Sequence, residues 1–245
     1  MALNVQLDNL AIGYMHGRTV ASAINVEFRS GELSCLIGAN GTGKSTLLKT
    51  ISGYLKPKAG CVWLHGEEGR RSVAAMSSHE LARSIGIVLS KAPDVSNLTV
   101  EEMVGMGRSP YTSFWGSLSA TDRSVVGRSI EAVGIQGLTG RMIQTLSDGE
   151  RQKVMIARAL AQQTPVMLLD EPTAFLDYQS KAELMGLLRK LARDWNRTIV
   201  LSTHDLSLAV RLADRLFRLS DGSLCQVDRE DVQASMDNLL KDGDR

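Results

Sequence analysis

Gly38-Ala39-Asn40-Gly41-Thr42-Gly43-Lys44-Ser45 satisfies the pattern G-x-x-x-x-G-K-[ST] at every fixed position, and the flanking residues decide how it is read. Leu33-Ser34-Cys35-Leu36-Ile37 comes just before it, an apolar run of strand length. After it, Leu47, Leu48, Ile51 and Leu55 recur on one side of a helix-like stretch. A strand, a glycine loop and a helix start in that order form an anion site, because the loop N–H groups and the positive helix end converge on one spot. In such a site Gly38, Ala39, Asn40, Gly41, Thr42, Gly43 and Thr46 surround nucleotide phosphates. Lys44 reaches the terminal phosphates, and the Ser45 hydroxyl holds magnesium. A glycine turn beside a surface lysine is the plainer alternative, and the flanking strand and helix count against it.

Outward from this loop the chain alternates between two textures. Leu3, Val5, Leu7, Leu10 and Ile12 predict a strand over 3–12. Val20–Phe28 and the run Val62-Trp63-Leu64 predict further strands of the same antiparallel sheet. Ile85-Gly86-Ile87-Val88-Leu89 is continuously apolar, as in a strand buried on both faces. From about 98 to 163 the pattern turns helical. Thr99 with Glu102 three residues on predicts a capped helix start, and Thr121-Asp122 opens another helix carrying Val125, Val126, Ile130 and Val133. Val166–Leu169 and Ile199–Leu201 resume the strands, separated by a helix bearing Leu184, Leu187, Leu188 and Leu191. Strands alternating with helices predict an α/β fold with a mostly parallel sheet and its ligand at the carboxyl ends of the strands.

The 245 residues are 43% hydrophobic, enough for one large core. Twenty-eight Lys and Arg oppose 27 Asp and Glu, a net charge of +1, which argues against nucleic acid or an anionic membrane surface as the main partner. No apolar run approaches the roughly 18 residues of a membrane span, and the first residues do not read as a secretory segment. Cys35, Cys61 and Cys225 lack metal-ligand spacing, and the first two read as small buried hydrophobes.

A second set of motifs lies downstream. Leu146-Ser147-Asp148-Gly149-Glu150 precedes Arg151–Leu160, and Val166-Met167-Leu168-Leu169 runs into Asp170-Glu171-Pro172-Thr173. Two carboxylates at the end of a buried strand are costly without cations or water nearby. His204 follows the run Thr198–Thr203. With the phosphate loop, these motifs resemble the nucleotide-binding domain of ATP-binding cassette (ABC) proteins, whose signature reads Leu-Ser-Gly-Gly-Gln. The resemblance extends from about Leu3 to about Gly222.

That resemblance implies a P-loop NTPase core with an N-terminal antiparallel β subdomain and an inserted helical subdomain. The whole of 1–245 would form one ATPase domain, the insert covering about 98–163 and a short tail about 226–245. It implies ATP and Mg2+ as cofactors. By it, Asp170 holds Mg2+ through a water, Glu171 polarises the attacking water, and His204 contacts the γ-phosphate and steadies Glu171. Tyr14 would stack on adenine, a contact that gives affinity with little base discrimination. Ser147 and Gly149 would bind the ATP of a second copy in a head-to-tail dimer, and Asp177 belongs to the loop that crosses that interface.

Two positions depart from the family pattern. Asp148 replaces a glycine and puts a carboxylate where phosphate is expected, with Glu150 for glutamine a milder change. Ser90 replaces a glutamine that touches the metal and signals to the membrane partner. Gly107-Arg108-Ser109-Pro110-Tyr111-Thr112-Ser113-Phe114-Trp115-Gly116, followed by Leu118-Ser119-Ala120-Thr121-Asp122, resembles importers of iron-siderophore, haem and cobalamin complexes; the alternative is a loop that merely caps the helical subdomain. The resemblance thus implies the ATPase of an importer, peripheral on the cytoplasmic face of the cell membrane. Its partners would be a polytopic permease dimer and, indirectly, an extracytoplasmic substrate-binding protein. A non-transport ABC protein acting on nucleic acid or ribosomes, and a non-hydrolysing ATP-binding module, are the competing readings.

Overall fold

A computed structural model describes residues 2–14, 17–67, 69–90, 97–113, 116–174 and 176–243, with side chains described as far as Met236. The chain opens with β1 (Asn4–Gly13), β2 (Thr19–Phe28) and β3 (Leu33–Ile37), then the glycine loop and α1 (Lys44–Ile51). β4 (Ala59–Gly66), β5 (Gly69–Ser72), α2 (Ser78–Ser84) and β6 (Ile85–Val88) follow. A helical stretch carries α3 (Val100–Gly105), α4 (Ala120–Ala132) and α5 (Asp148–Ala161). The remainder is β7 (Val166–Asp170), α6 (Tyr178–Asp194), β8 (Thr198–Thr203), α7 (Leu206–Leu212), β9 (Arg215–Ser220), β10 (Ser223–Val227) and α8 (Arg229–Gly243).

β1 pairs antiparallel with both β2 and β4, giving a four-stranded sheet in the order β2-β1-β4-β5. The second sheet runs β10-β9-β3-β8-β7-β6, parallel throughout except for β10 at its edge. Its strands read as apolar runs because both faces are covered. Leu33, Cys35, Ile37, Met167, Leu169, Ile199 and Leu201 point toward the helical side. Leu36, Val166, Leu168, Val200 and Phe217 pack with α1 and the antiparallel sheet. Phe28 of β2 meets Phe217 edge-on at 4.9 Å, joining the two sheets. Each large side chain so buried contributes about 1.5–3 kcal/mol.

Several boundaries differ from the sequence reading. α1 stops at Ile51 because Gly53 adopts φ 77 just beyond it, so Leu55 lies outside the helix. β6 is an edge strand ending at Val88, and Leu89 is exposed, so this run is not buried on both faces along its whole length. α4 starts at Ala120, not Thr121, since Ser119 accepts from the Asp122 N–H and Asp122 reaches back to Ser119. Thr99 and Glu102 form the anticipated capping box. Cys35 is buried, whereas Cys61 is only half-buried. The polar tail forms α8, and β5, β9, β10, α2 and α7 were not foreseen.

The Gly107–Tyr111 segment is a short 3-10 helix built around a buried arginine. Arg108 Nε donates to Asp122 Oδ1 at 2.9 Å, and its Nη1 donates to Ala161 O at 2.7 Å and Gln163 Oε1 at 2.8 Å. The Tyr111 ring lies 3.9 Å from the guanidinium. This part of the segment therefore fastens the helical layer together, as in the capping alternative. Phe114 and Trp115 lie outside the described residues.

Candidate nucleotide site

β3, β8, β7 and β6 are adjacent and parallel, so whatever follows each of them lies along one edge of the sheet. The glycine loop follows β3, His204 follows β8, Asp170 and Glu171 end β7, and Ser90 comes two residues after β6. Residues separated by up to 166 positions thus reach a common edge through topology alone.

The loop leaves its helix start open. Gly43 precedes α1 at φ 109, and a Cβ there would come within 2.2 Å of Val20 Cγ1, so both backbone and space require glycine. α1 has no side-chain cap and no acid in its first turn, which leaves its first N–H groups available to an anion. Ala39, Asn40 and Gly41 are exposed, and Thr42 Oγ1 tightens the turn by donating to Ala39 O at 3.0 Å. Thr46 is buried in the first turn, its carbonyl accepting from Thr50 Oγ1. Lys44 is only 5% exposed. Its Nζ donates to the carbonyls of Gly38 and Ala39, at 2.8 and 3.0 Å, and lies 4.0 Å from Glu171 Oε1. Burial lowers the lysine's pKa, against the opposing pull of Glu171 and Asp170.

Ser202 ties the two carboxylates to β8. Its Oγ donates to Asp170 Oδ1 at 2.7 Å and accepts from the Glu171 N–H at 2.9 Å. Glu171 sits at φ 47, an uncommon conformation for a residue with a side chain, and this hydrogen bond helps hold it there. His204 Nδ1 stands 3.4 Å from Glu171 Oε2. Lys44, Glu171 and His204 are thereby brought together, with Asp170 buried behind them. Ser202 was not foreseen; a hydroxyl inside the apolar run Ile199–Thr203 was the signal available. The half-buried Ser45 hydroxyl has no partner among the described residues, and Asp170 supplies a fixed carboxylate. Oxygen donors of this kind suit Mg2+.

Tyr14 is 55% exposed at the end of β1, open to a flat ligand. Ser90 is exposed, and residues 91–96 of its loop lie outside the described residues. The signature segment is arranged differently. Ser147 precedes α5 and is closed by Glu150: Ser147 N and Oγ donate to Glu150 Oε2 at 2.8 and 2.9 Å, and Glu150 N donates to Ser147 Oγ at 3.3 Å. The Ser147 N–H holds the Glu150 carboxyl below its usual range. The expected anion-ready helix end is therefore capped by the protein's own acid. Asp148 is largely exposed, 3.5 Å from Arg151 Nη1. Asp177 caps α6, accepting from Ser180 N at 3.0 Å and Ser180 Oγ at 2.7 Å. A Cβ on Gly149 would touch Leu176, and a cavity of about 170 Å3 separates Ser147 and Gly149 from Ser180. The signature segment and the segment ending at Asp177 are therefore neighbours; Phe175 between them lies outside the described residues.

A phosphate loop opening a helix, with a carboxylate pair ending a parallel strand of the same sheet one strand further on, defines the nucleoside-triphosphate-binding P-loop class. The ABC transporter family profile matches residues 21–174, and the chain belongs to that family, an ATP-binding and ATP-hydrolysing cassette. It is 41% identical over 208 residues to the achromobactin transport ATP-binding protein of Dickeya dadantii, covering 84% of this chain and 75% of that one. It is 40% identical over 206 residues to the cobalamin import ATP-binding protein of Halobacterium salinarum, covering 84% of this chain and 50% of that one. A solved dimeric ATP-binding cassette in a post-hydrolysis state, bound to ADP and Pi, matches with a TM-score of 0.76 at 27% identity, over 92% of this chain and 98% of that one.

Proposed function

We propose that this chain is the ATP-hydrolysing subunit of an importer for an iron chelate or cobalamin. In this reading residues 1–245 act as one ATPase domain, with about 98–163 as its inserted helical part. The observation that carries it is the cluster of Lys44, Glu171 and His204 at one sheet edge, with Asp170 fixed behind by Ser202. The names of the relatives support the cargo class.

On MgATP binding, Lys44 exchanges the Gly38 and Ala39 carbonyls for the β- and γ-phosphates, and the N–H groups opening α1 take the remaining phosphate charge. Ser45 and Asp170 would hold Mg2+, which supplies charge neutralisation along the phosphates. Glu171 accepts the proton of the attacking water, and His204 fixes the carboxylate's direction from 3.4 Å. Positioning and charge neutralisation supply most of phosphoryl transfer, so this set suffices. Tyr14 stacks on the adenine. Ser147 and Gly149 complete the site of a second copy, with Asp177 beside that interface, once Ser147 gives up Glu150. Ser90 would help hold the metal only through a bridging water, which costs little.

No helix among the described residues is long and apolar enough to cross a membrane. The chain in this reading is held at the cytoplasmic face by a permease dimer. Reconstitution with a candidate permease and binding protein, followed by ATP-dependent uptake of a labelled ferric siderophore and of cobalamin, tests it. Uptake of one cargo is expected; ATP turnover with no association with any polytopic membrane protein contradicts it.

A further inference from the structure

A second feature lies at the opposite, amino-terminal edge of the parallel sheet. There a cavity of about 250 Å3 opens between α4, the end of α5 and the turn before β8. Arg128, Gln163, Trp195 and Arg197 contribute to its wall, and no Asp or Glu lines it. Arg197 is 8% exposed. Its Nη1 is sealed from solvent with no hydrogen-bond partner, and among the described residues no carboxylate pairs with it. Its guanidinium instead stands 4.9 Å from the Trp195 ring centroid.

A buried cation without a counter-charge is unfavourable, and structures as a rule pair such groups. Burial pulls the Arg197 pKa down to about 10, with only Tyr111 opposing. The carbonyl end of α6 lies three residues before Arg197, and Ala161 O at the end of α5 is already engaged by Arg108. Arg108 also occupies Gln163 Oε1, which leaves the Gln163 Nε2 amide to donate. The cavity wall therefore carries two arginines and a glutamine and no carboxylate.

We propose that this cavity is a second anion site, taking a small phosphate-class oxyanion between Arg197 and Arg128. Guanidinium pairs suit the geometry of phosphate oxygens. The volume falls below the roughly 300 Å3 at which sites for larger organic ligands begin, so it fits inorganic phosphate or a small phosphomonoester but not a nucleotide. Arg197 and His204 lie at opposite ends of β8, roughly 20 Å apart at strand rise, so the site is separate from the phosphate loop. Its ligand would tie α4, through Arg128, to the core, through Arg197. The assignment is independent of the transport reading.

Calorimetric titration tests it on the full chain saturated with Mg2+ and a non-hydrolysable ATP analogue, which occupies the phosphate loop. Inorganic phosphate and glycerol 3-phosphate are titrated separately at matched ionic strength. Saturable binding of at least one is expected, weakened at least tenfold by Arg128→Ala and lost in Arg197→Met. Which of the two binds identifies the source of the phosphate group. If Arg197→Met does not fold, the exposed Arg128→Ala decides alone. Absence of saturable binding by both ligands, or binding unchanged in Arg128→Ala, overturns the proposal.

Discussion

Helix α1 begins at Gly43 with no side chain over its first N–H groups, whereas α5 begins at Ser147 with Glu150 folded back onto it. Both starts belong to motifs associated with ATP phosphates, yet only α1 is ready for an anion as it stands. Its first turn carries Lys44 and no acid, while the first turn of α5 carries Asp148 and Glu150. A helix end attracts negative charge, and at α5 the protein's own carboxylate has taken the place. The difference suggests an order of events: nucleotide settles first on α1, and α5 joins only when a second copy brings phosphate to compete with Glu150.

Breaking the α1 side gives the largest effects. Glu171→Gln removes the proposed proton acceptor beside Lys44 and is expected to lower ATP turnover by about 10²–10⁴-fold while MgATP binding stays within a few-fold. The variant accumulates as an ATP-bound dimer on size-exclusion chromatography; wild-type turnover would place the base elsewhere. Lys44→Ala removes the buried cation and weakens MgATP binding by roughly 10–100-fold, the worth of about 1.5–3 kcal/mol for a charge-assisted contact. Titration with a fluorescent ATP analogue checks this, and unchanged affinity would remove Lys44 from the phosphate site.

The α5 side yields a smaller change of opposite sign. Glu150→Gln retains a hydrogen-bonding group at the cap but deletes its charge, so ATP-dependent dimerisation strengthens about two- to fivefold, from 0.3–1 kcal/mol of helix-end interaction. Sedimentation of wild type and variant in MgATP measures it; a weaker dimer means the carboxylate is no obstacle. α4 is the structural control, since its box of Ser119 and Asp122 is locked by Arg108. The Ser119 hydroxyl and then Arg108 hold the Asp122 carboxyl down to about 2, below its ordinary 3.8. A carboxyl depressed by folding stabilises the fold above its ordinary pKa and loses that contribution as pH falls toward 2. The stability gap between wild type and Asp122→Asn is therefore constant above about pH 5 and shrinks from about pH 4 to 2. Denaturant titrations across that range show it, and a gap independent of pH would refute the pairing.

The contrast between α1 and α5 was only half legible in the sequence. Gly38–Ser45, Asp170 and Glu171 are contiguous motifs with an apolar strand beside each, so residue type and spacing located them. His204 was placed by the same means, because the strand before it is apolar. Glu150 stands three positions after Ser147, the spacing of a capping box, and the signature pattern draws attention away from the helix end it closes. Ser202 could be placed only once β7 and β8 were paired, because its two partners lie 31 and 32 positions away. Arg108 was read as part of a family segment, and its burial against Asp122 and Ala161 depends on three helices meeting. The short strand β5, Gly-Arg-Arg-Ser, carries no apolar side chain to announce itself.

The order proposed for α1 and α5 is most directly tested by hydrogen exchange of Glu171→Gln, which holds ATP without turnover, across a range of protein concentrations. With MgATP, amides of residues 38–46 should be protected at every concentration, since one chain supplies that site. Amides of residues 147–151 should gain protection only where the dimer forms. Protection of 147–151 in the monomer, or none at 38–46, would contradict the account.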